Sequence, residues 1–332
     1  ASIAVVVILI LRRLVIQRRA ATHERMRQGL LKALISFSQY RDRAALKQAI
    51  LSVPPDVALK AGFEFLSLLR GEEHDEVIAT FIECGLSAQV ERQLTKGNGA
   101  ARIDAAEMLA ALRPENAVPV LLATLDNDRA REVRIAAAIA LCDLGALPPL
   151  DVALRKIGIA GQRSRRLVEL FRRLSAERTD ELKAQVDRSD LTPFVRAAVI
   201  DALARTGDFR QADFFARAAK DLSPEVASAA VRAIGRTGHP AAAAILTGAM
   251  ESGDWGVRYA AAEAAGQLGF SALAAPLAAL LDDSEWTVRY AAAKAMRAMA
   301  PEGDRILREI AATQSSRSQR TASLILAEGP VA

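Results

Sequence analysis

A sequence period of about 31 residues runs through most of this 332-residue chain and limits the folds it can adopt. Residues 254–264 read DWGVRYAAAEA, and residues 285–295 read EWTVRYAAAKA. Steps of 31 residues in both directions from Arg258 reach a series of positions, most of them arginines. In chain order these are Arg134, Arg165, Arg196, Ala227, Arg258, Arg289 and Arg320. A fixed period of this size with no β-like segment is typical of stacked helix pairs. The sequence therefore predicts an all-α fold, a right-handed α-solenoid of helix pairs about 31 residues long.

One repeat shows how each helix pair forms. Asp254 can cap a helix that ends at Gly269, because glycine readily adopts the left-handed conformation that terminates helices. Apolar residues at helical spacing, among them Val257, Ala261 and Leu268, give that helix one buried face. A second helix is predicted over residues 271–281. Neither helix can bury its apolar face alone, so neighbouring pairs must stack and share a core.

The motif resembles the HEAT-like repeats of the phycobilin-lyase type, whose unit reads roughly Asp-x-x-Trp-x-Val-Arg-x-Ala-Ala-x-x-Leu-x-x-x-Gly. The match is close at 254–269 and 284–300, weaker at 221–238, where Ala227 replaces the arginine, and faint at 163–176 and 319–327. The resemblance implies that the Val-Arg helices line a concave surface. It also implies that the arginine ties neighbouring inter-repeat loops together, a structural role for Arg134, Arg196, Arg258 and Arg289.

The N-terminus differs from the rest of the chain in both hydropathy and charge. An unbroken apolar run over residues 2–11 includes Ile3, Val6, Leu9 and Leu11, and basic residues follow at Arg12, Arg13, Arg18 and Arg19. Ten helical residues span only about half of a bilayer core. We therefore expect residues 1–22 to be part of a transmembrane helix whose start lies upstream of Ala1. By the positive-inside rule, the solenoid would lie in the cytoplasm, on a single-pass inner-membrane protein.

The net charge of +5 belongs to this N-terminal region. Residues 1–32 contain seven Lys/Arg and one acid, which is +6 and leaves −1 for residues 33–332. A nucleic-acid-binding solenoid would instead carry its basic charge along its length. The two cysteines, Cys84 and Cys142, have no partner spacing for a disulfide framework or a zinc site.

Three regions follow from these patterns. Residues 1–22 form the anchor with its basic flank, residues 23–95 a juxtamembrane helix and irregular N-terminal repeats, and residues 96–332 the regular solenoid. In the middle region, helices are predicted at roughly 42–52, 55–70 and 74–84, out of register with the period of the later repeats. End repeats of solenoids commonly depart from the consensus in this way.

The segment 155–178 is strongly basic. It has eight Lys/Arg against Glu169 and Glu177, and the arginines include Arg163, Arg165, Arg166, Arg172 and Arg173. One interpretation is a solvated face paired with neighbouring acids. The other is a binding site for an anion or an acidic protein partner.

Aromatic residues are concentrated in two adjacent repeats. Trp255 and Tyr259 are four residues apart and share a helix face, as do Trp286 and Tyr290. Tyrosine and tryptophan often anchor protein interfaces. The tryptophans could instead pack into the seam between repeats, as they do in the family that the motif resembles. The four aromatic residues are candidates for partner contact.

No pattern for catalysis occurs in the sequence: there is no glycine-rich phosphate loop, no Cys-x-x-Cys, and no repeated His-Glu pair for a metal. We expect no cofactor and no metal. The sequence favours a non-enzymatic scaffold that binds a protein partner, such as a membrane enzyme, a polysaccharide synthase or a secretion complex. One alternative is a bilin-lyase-like or chaperone module that acts on a cofactor-bearing protein. Another is a nucleic-acid-binding protein that uses the segment 155–178.

Overall fold

The computed structural model describes residues 2–66, 68–158, 163–239, 241–313 and 316–328; of the side chains of residues 2–20, it describes only that of Arg13. Within these ranges the chain forms twenty α-helices and two short 3-10 turns, and no strand occurs there. The predicted all-α class is therefore confirmed. The chain divides into two compact units, Ala1–Leu147 and Pro148–Ala332. This division lies elsewhere than the predicted transition at residues 95/96.

The N-terminal unit consists of eight helices. They are α1 (Ser2–Tyr40), α2 (Arg43–Leu51), α3 (Pro55–Leu66), α4 (Glu72–Glu83), α5 (Leu86–Lys96), α6 (Gly99–Leu112), α7 (Ala117–Asn127) and α8 (Arg131–Asp143). The predicted helices of residues 42–84 correspond to α2, α3 and α4. Helix α1 continues without a break across residues 22 and 23, where the sequence pattern had placed the end of the anchor.

The second half of α1 is packed against α2 and α3. Leu30, Leu34 and Phe37 are buried at helical spacing, whereas the neighbouring Ile35 is 52% exposed. An ion pair joins Arg27 to Glu64 at 2.5 Å and links α1 to α3. The second half of α1, predicted to be a juxtamembrane helix, is thus an integral part of the N-terminal unit.

The C-terminal unit consists of twelve helices and the two 3-10 turns, Phe209–Gln211 and Ser271–Leu273. The helices are α9 (Leu150–Ile157), α10 (Arg165–Leu174), α11 (Thr179–Val186), α12 (Pro193–Ala204), α13 (Ala212–Ala218), α14 (Pro224–Thr237), α15 (Ala242–Met250), α16 (Trp255–Leu268), α17 (Ala274–Leu280), α18 (Trp286–Ala298), α19 (Glu302–Ala311) and α20 (Arg317–Ala327).

Eleven of these helices, α10 to α20, are arranged in two layers, and α9 packs against α11. Helices α10, α12, α14, α16, α18 and α20 pack side by side in chain order and form the first layer. Helices α11, α13, α15, α17 and α19 each pack against the first-layer helix that follows them. The core between the layers is made mainly of Leu, Ile, Val and Ala side chains, in keeping with the low aromatic content of the chain.

The predicted helix ends of the repeat are confirmed. The carboxylate of Asp254 accepts hydrogen bonds from the backbone N–H groups of Gly256 and Val257 and so caps α16. At the other end Gly269 has a φ of +65°, a left-handed conformation that other residues adopt only at a cost. The glycines one and two periods earlier, Gly238 and Gly207, have φ values of +65° and +66°.

Small residues set the distance between first-layer helices. A Cβ atom added to Gly235 on α14 would lie 2.7 Å from the Cβ of Ala264 on α16. A Cβ atom added to Gly266 on α16 would lie 3.0 Å from the Cβ of Ala295 on α18. The two contacts are related by one period of the sequence. The alanine-rich helices therefore touch almost backbone to backbone.

Among the residues that the structure describes, no helix is both long enough and apolar enough to cross a bilayer. The predicted anchor residues Ile3, Val6, Leu9, Leu11, Arg12, Arg18 and Arg19 belong to α1, but their side chains lie outside the described part of the chain. The side chain of Arg13 is exposed.

The close contact at Gly235 can be tested with one substitution made at two glycines. Gly235→Ala should destabilise the protein by about 1–3 kcal/mol, since the new methyl group must push α14 away from α16. Gly248→Ala should stabilise it by about 0.5–1 kcal/mol, since a Cβ there meets no atom within 4 Å and alanine favours the helix. Thermal unfolding measures both. Equal changes of melting temperature with the same sign in both variants would show that helix propensity alone determines the change in stability.

Candidate functional site

The arginine of the repeat joins two inter-repeat loops. The Nη1 atom of Arg258 donates to the backbone carbonyl oxygens of Ser252 at 2.9 Å and of Gly253 at 3.2 Å, in the loop before its own helix. Its Nε and Nη2 atoms donate to the two carboxylate oxygens of Asp283, at 2.6 and 2.9 Å, in the loop after the next helix. We call this arrangement an arginine bridge. The paired donors match the two oxygens of the carboxylate.

Other repeat arginines make all or part of the same bridge. Arg196 contacts the carboxylate of Asp221 and donates to the carbonyl oxygen of Val186 at 2.5 Å. Arg289 donates to the carbonyl oxygens of Asp283 at 2.6 Å and Ser284 at 2.9 Å. Asp283 thus receives Arg258 on its carboxylate and Arg289 on its carbonyl oxygen, so that one loop connects two bridges.

In the N-terminal unit the loop at Asp128 likewise receives two arginines. Arg134 donates to the carbonyl oxygen of Asp128 at 2.5 Å. The carboxylate of Asp128 receives Arg102, which lies one residue outside the register of the period, at 2.8 and 3.1 Å. Arg102 also donates to the carbonyl oxygen of Gly97 at 2.8 Å and is buried. Because its helix begins one residue earlier than the period predicts, Arg102 does not fall on the 31-residue spacing of the other bridge arginines.

The bridge changes the acidity of its carboxylate. The guanidinium of Arg258, by its hydrogen bonds, holds the pKa of Asp283 below its ordinary value. Both side chains are largely removed from water, at 14% exposure for Arg258 and 6% for Asp283. The bridge is a structural element that fixes the stacking of neighbouring repeats.

One face of the first layer carries three rows of residues, with successive members of each row one period apart. The rows are Ala197, Ser228, Tyr259 and Tyr290; Asp201, Arg232, Glu263 and Lys294; and Arg205, Arg236, Gln267 and Ala298. Within each helix the three members are four residues apart and so share a side. We call this surface the Tyr/Arg face. Charge alternates along its middle row, and aromatic side chains occupy only one end.

The tyrosine end of this face contains a depression of about 360 Å³ between α16 and α18, lined by Tyr259, Glu263, Gln267, Tyr290 and Lys294. The hydroxyl of Tyr259 donates to Glu263 at 2.8 Å, and that of Tyr290 donates to Glu328 at 3.1 Å. Their hydrogen bonds to these carboxylates raise the pKa of both phenols. Aromatic rings of fixed orientation thus border an open depression.

The tryptophans lie at the first turn of the same two helices. Trp255 is 51% exposed and Trp286 is 47% exposed. The rings of Trp286 and Tyr290 have centroids 5.9 Å apart, and the guanidinium of Arg289 lies over the Trp286 ring at 5.5 Å. Half of each tryptophan remains available for contact.

The arginine end of the face has a second depression, of about 240 Å³, between α10, α12 and α14. Its charged lining residues are Arg172, Arg205, Arg232, Arg236, Asp201 and Glu225, a surplus of two positive charges. Arg236 lies 3.8 Å from Asp201. This end of the face can attract an acidic group.

The predicted basic residues do not form one patch. Arg163 lies 3.6 Å from Glu225 and over the ring of Phe194 at 5.2 Å. Arg173 pairs with Glu169 at 3.2 Å, and Arg172 lies 4.0 Å from the same carboxylate. Arg165 is exposed at the start of α10, and Arg166 is half-buried. Of these five, only Arg172 lines the arginine depression.

Sequence reasoning missed the partners that complete this depression. Arg205, Arg232 and Arg236 lie far from the segment 155–178 in the chain, and the stacking of helices brings them to Arg172. The signal was present, since Arg205 and Arg236 are one period apart, as are successive members of the row from Asp201 to Lys294. Within the described ranges, no group of three or more His, Cys, Asp or Glu residues is arranged to hold a metal ion.

The arginine bridge predicts a difference between two identical substitutions. Arg258→Gln removes both carboxylate hydrogen bonds and should cost about 2 kcal/mol of stability. Arg289→Gln removes bonds to carbonyl oxygens of one loop and should cost about 1 kcal/mol or less. Denaturant unfolding at neutral pH measures both values. An equal loss in the two variants would contradict a special role of the bidentate pair.

Acid should reduce the loss of stability that Arg258→Gln causes. The folded pKa of Asp283 is lower than the unfolded one, so the stabilisation is complete above about pH 4 and is lost as the pH falls toward the folded pKa. The difference in unfolding free energy between wild type and Arg258→Gln should therefore stay constant above about pH 5 and become smaller below about pH 4. A gap that stays unchanged down to the acid transition would contradict the pairing.

Comparison with known proteins agrees with the repeat architecture. A family model described as HEAT repeats matches residues 179–260, 212–297 and 248–326, all in the C-terminal unit. No curated protein sequence matches this chain.

Several solved structures are similar at low identity. Human deoxyhypusine hydroxylase in complex with glycerol is 18% identical, with a TM-score of 0.31 over 89% of this chain and 98% of that one. An engineered protein is 19% identical, with a TM-score of 0.33 over 91% of this chain and 88% of that one. Kap121p bound to Pho4p is 15% identical, with a TM-score of 0.47 over 86% of this chain and 38% of Kap121p. The chain thus spans about two fifths of the length of Kap121p.

The period, the helix pairs and the family match agree on what the C-terminal unit is. The match is to HEAT repeats in general, and the phycobilin-lyase type stays a prediction. Residues 179–326 of this chain are similar to HEAT repeats.

Proposed function

We propose that this chain is a non-enzymatic scaffold whose HEAT repeats bind a protein partner through the Tyr/Arg face. The observation that supports this most is the row Ala197, Ser228, Tyr259 and Tyr290. The side chain at this position is small in two repeats and is a tyrosine in the next two, where it lies beside an open depression. Aromatic residues at the margin of a depression are the side chains that most often dominate protein interfaces.

The charges of the face define the partner's chemistry. A segment that lies along the first layer would meet the surplus of positive charge at the arginine end and the rings of Tyr259 and Tyr290 at the tyrosine end. The matching segment carries acidic residues at one end and apolar residues at the other. Opposite charges would fix its direction and speed the encounter, and the buried aromatic contacts would supply most of the affinity.

We further propose that the N-terminus holds this scaffold at the cytoplasmic side of the inner membrane. The support comes from sequence: the apolar run of residues 2–11 and the basic residues Arg12, Arg13, Arg18 and Arg19 that follow it. Cations next to an apolar segment are attracted to anionic headgroups. A partner in the same membrane, such as a polysaccharide synthase or secretion complex, would then meet the repeats at high local concentration.

One purification tests both parts of the proposal. The tagged full chain is extracted with detergent from membranes of the cell that produces it, and its partner is identified and quantified. Tyr259→Ala combined with Tyr290→Ala should reduce partner recovery and weaken binding by about 2 kcal/mol per tyrosine, or about thirtyfold for each. Tyr40→Ala is the matched control, since Tyr40 is 75% exposed and lies in the N-terminal unit.

Three outcomes would contradict the proposal. Equal partner recovery by the tyrosine double variant and by Tyr40→Ala would remove the Tyr/Arg face as the binding surface. Recovery of nucleic acid in place of protein would favour the nucleic-acid alternative. Full release of the wild-type chain by a high-salt wash without detergent would contradict insertion of the apolar run in the membrane.

A further inference from the structure

The position of the repeat arginine is occupied by Ala227 in one repeat of the C-terminal unit. Arg196 lies one period before it, and Arg258 lies one period after it. The bridge partner changes as well: the aspartate that receives Arg258 is Asp283, and the residue one period before Asp283 is Ser252. This repeat has therefore lost both the guanidinium and the carboxylate of the bridge.

The loop that would receive the arginine nevertheless keeps the geometry of the loops that bind one. The Oδ1 atom of Asp221 accepts from the backbone N–H of Ser223 at 2.9 Å. The Oδ1 atom of Asp283 accepts in the same way from Glu285 at 2.8 Å. The carbonyl oxygens that correspond to those bound by Arg258 belong to Asp221 and Leu222. The carbonyl half of the acceptor side is thus present without its donor, while Ser252 replaces the carboxylate half.

A cleft of about 660 Å³ lies at this position. It is bounded by α13 on one side and α15 on the other, and its lining includes Ala219, Leu222, Ala227, Ile245, Gly248 and Ser252. Leu222 is fully exposed at the margin. The walls are mainly apolar, and the cleft also meets the side chains of Asp221, Asp254 and Lys220.

We propose that this cleft binds the arginine side chain of a partner protein, which supplies in trans the guanidinium that Ala227 lacks. The aliphatic stem of the arginine would lie along Ile245 and Ala249. The guanidinium would donate to the carbonyl oxygens of Asp221 and Leu222, as Arg258 does to Ser252 and Gly253 one repeat later. The carboxylate of Asp221 is already paired with Arg196, so the site would recognise the guanidinium chiefly by these two carbonyl oxygens.

Arginine fits this cleft better than lysine does. Its planar fork has five N–H donors and can reach two adjacent carbonyl oxygens at once, whereas the lysine ammonium is a compact and strongly hydrated point charge. The guanidinium is also more weakly hydrated, so that its transfer to an apolar cleft is less costly. The volume of the cleft leaves room for an apolar neighbour of the arginine in the partner segment.

Calorimetric titration of the full chain with short capped peptides tests the proposal without a known partner. One peptide has a central arginine, and in the matched peptides lysine or citrulline replaces it. Citrulline keeps the stem and the shape of arginine but has no charge. We expect the arginine peptide to bind with a dissociation constant on the order of 1 mM, and the citrulline peptide at least about tenfold more weakly.

Two variants locate the binding site. Ala227→Arg supplies the guanidinium from within the chain and should abolish peptide binding while it raises the melting temperature. Ala241→Arg adds the same charge at an exposed position outside the cleft and should leave binding unchanged. If Ala227→Arg fails to fold, Gly248→Phe obstructs the opposite wall, where a Cβ meets no atom within 4 Å. This variant should also abolish binding.

Any of three results would overturn the proposal. The first is an absence of binding of the arginine peptide at about 10 mM, which corresponds to an affinity weaker than about −3 kcal/mol. The second is equal binding of the arginine and citrulline peptides, which would identify an apolar site. The third is unchanged binding by a folded Ala227→Arg or Gly248→Phe protein. None of these results bears on the Tyr/Arg face, which the peptides do not contact.

Discussion

The close contact between neighbouring first-layer helices is the constraint on which the rest of the C-terminal unit depends. Gly235 faces Ala264, and Gly266 faces Ala295, with no room for a larger side chain at either glycine. A contact this tight fixes the register of one helix against the next, because interlocked surfaces cannot slide without a clash. Residues separated by one period therefore become spatial neighbours. The Tyr/Arg face exists only because of this register.

The arginine bridge performs a second task, at the loops that connect the helix pairs. The complete bridges, those of Arg102, Arg196 and Arg258, join the loop before a helix to the loop after the next one, so they resist both separation and rotation of adjacent repeats. A buried ion pair of this kind is a costly way to gain stability, since both charges must leave water. Its value here lies in geometry: the guanidinium has fixed donor directions and reaches two loops at once. At Ala227 an alanine stands in place of the bridging arginine, and a cleft lies at this position.

The parts of the fold that repeat could be predicted from the sequence. The caps at Asp254 and Gly269 and the helix between them follow from local chemistry, and the structure has them at those residues. The early repeats were harder, since Arg102 makes the bridge from one residue outside the register. The buried face of α1 does not follow from hydropathy alone, because Phe37 is buried while the neighbouring Ile35 is exposed. Which of two nearby apolar residues is buried depends on the packing partner, which a helical period alone does not contain.

The candidate surface was predicted less completely than the fold. Tyr259 and Tyr290 stood out because aromatic residues are concentrated in two adjacent repeats, and the structure places both beside one depression. The basic segment 155–178 gave only Arg172 to the arginine depression, since the other arginines come from later helices. A basic segment shows only which charged residues are close in the sequence. In a stacked repeat protein, residues one period apart are the ones that lie close in space. A search by period rather than by segment would have found Arg205 and Arg236.

The distance between spin labels on the exposed face of the C-terminal unit tests this register most directly. Cysteines replace Arg205, Gln267 and Ala298 in pairs, in a chain whose Cys84 and Cys142 are changed to serine. Helices packed about 10 Å apart predict a separation of about 20 Å for the 205/267 pair and about 30 Å for the 205/298 pair in double electron–electron resonance. Narrow distributions at these two distances would support the account. Broad or equal distances for the two pairs would contradict it.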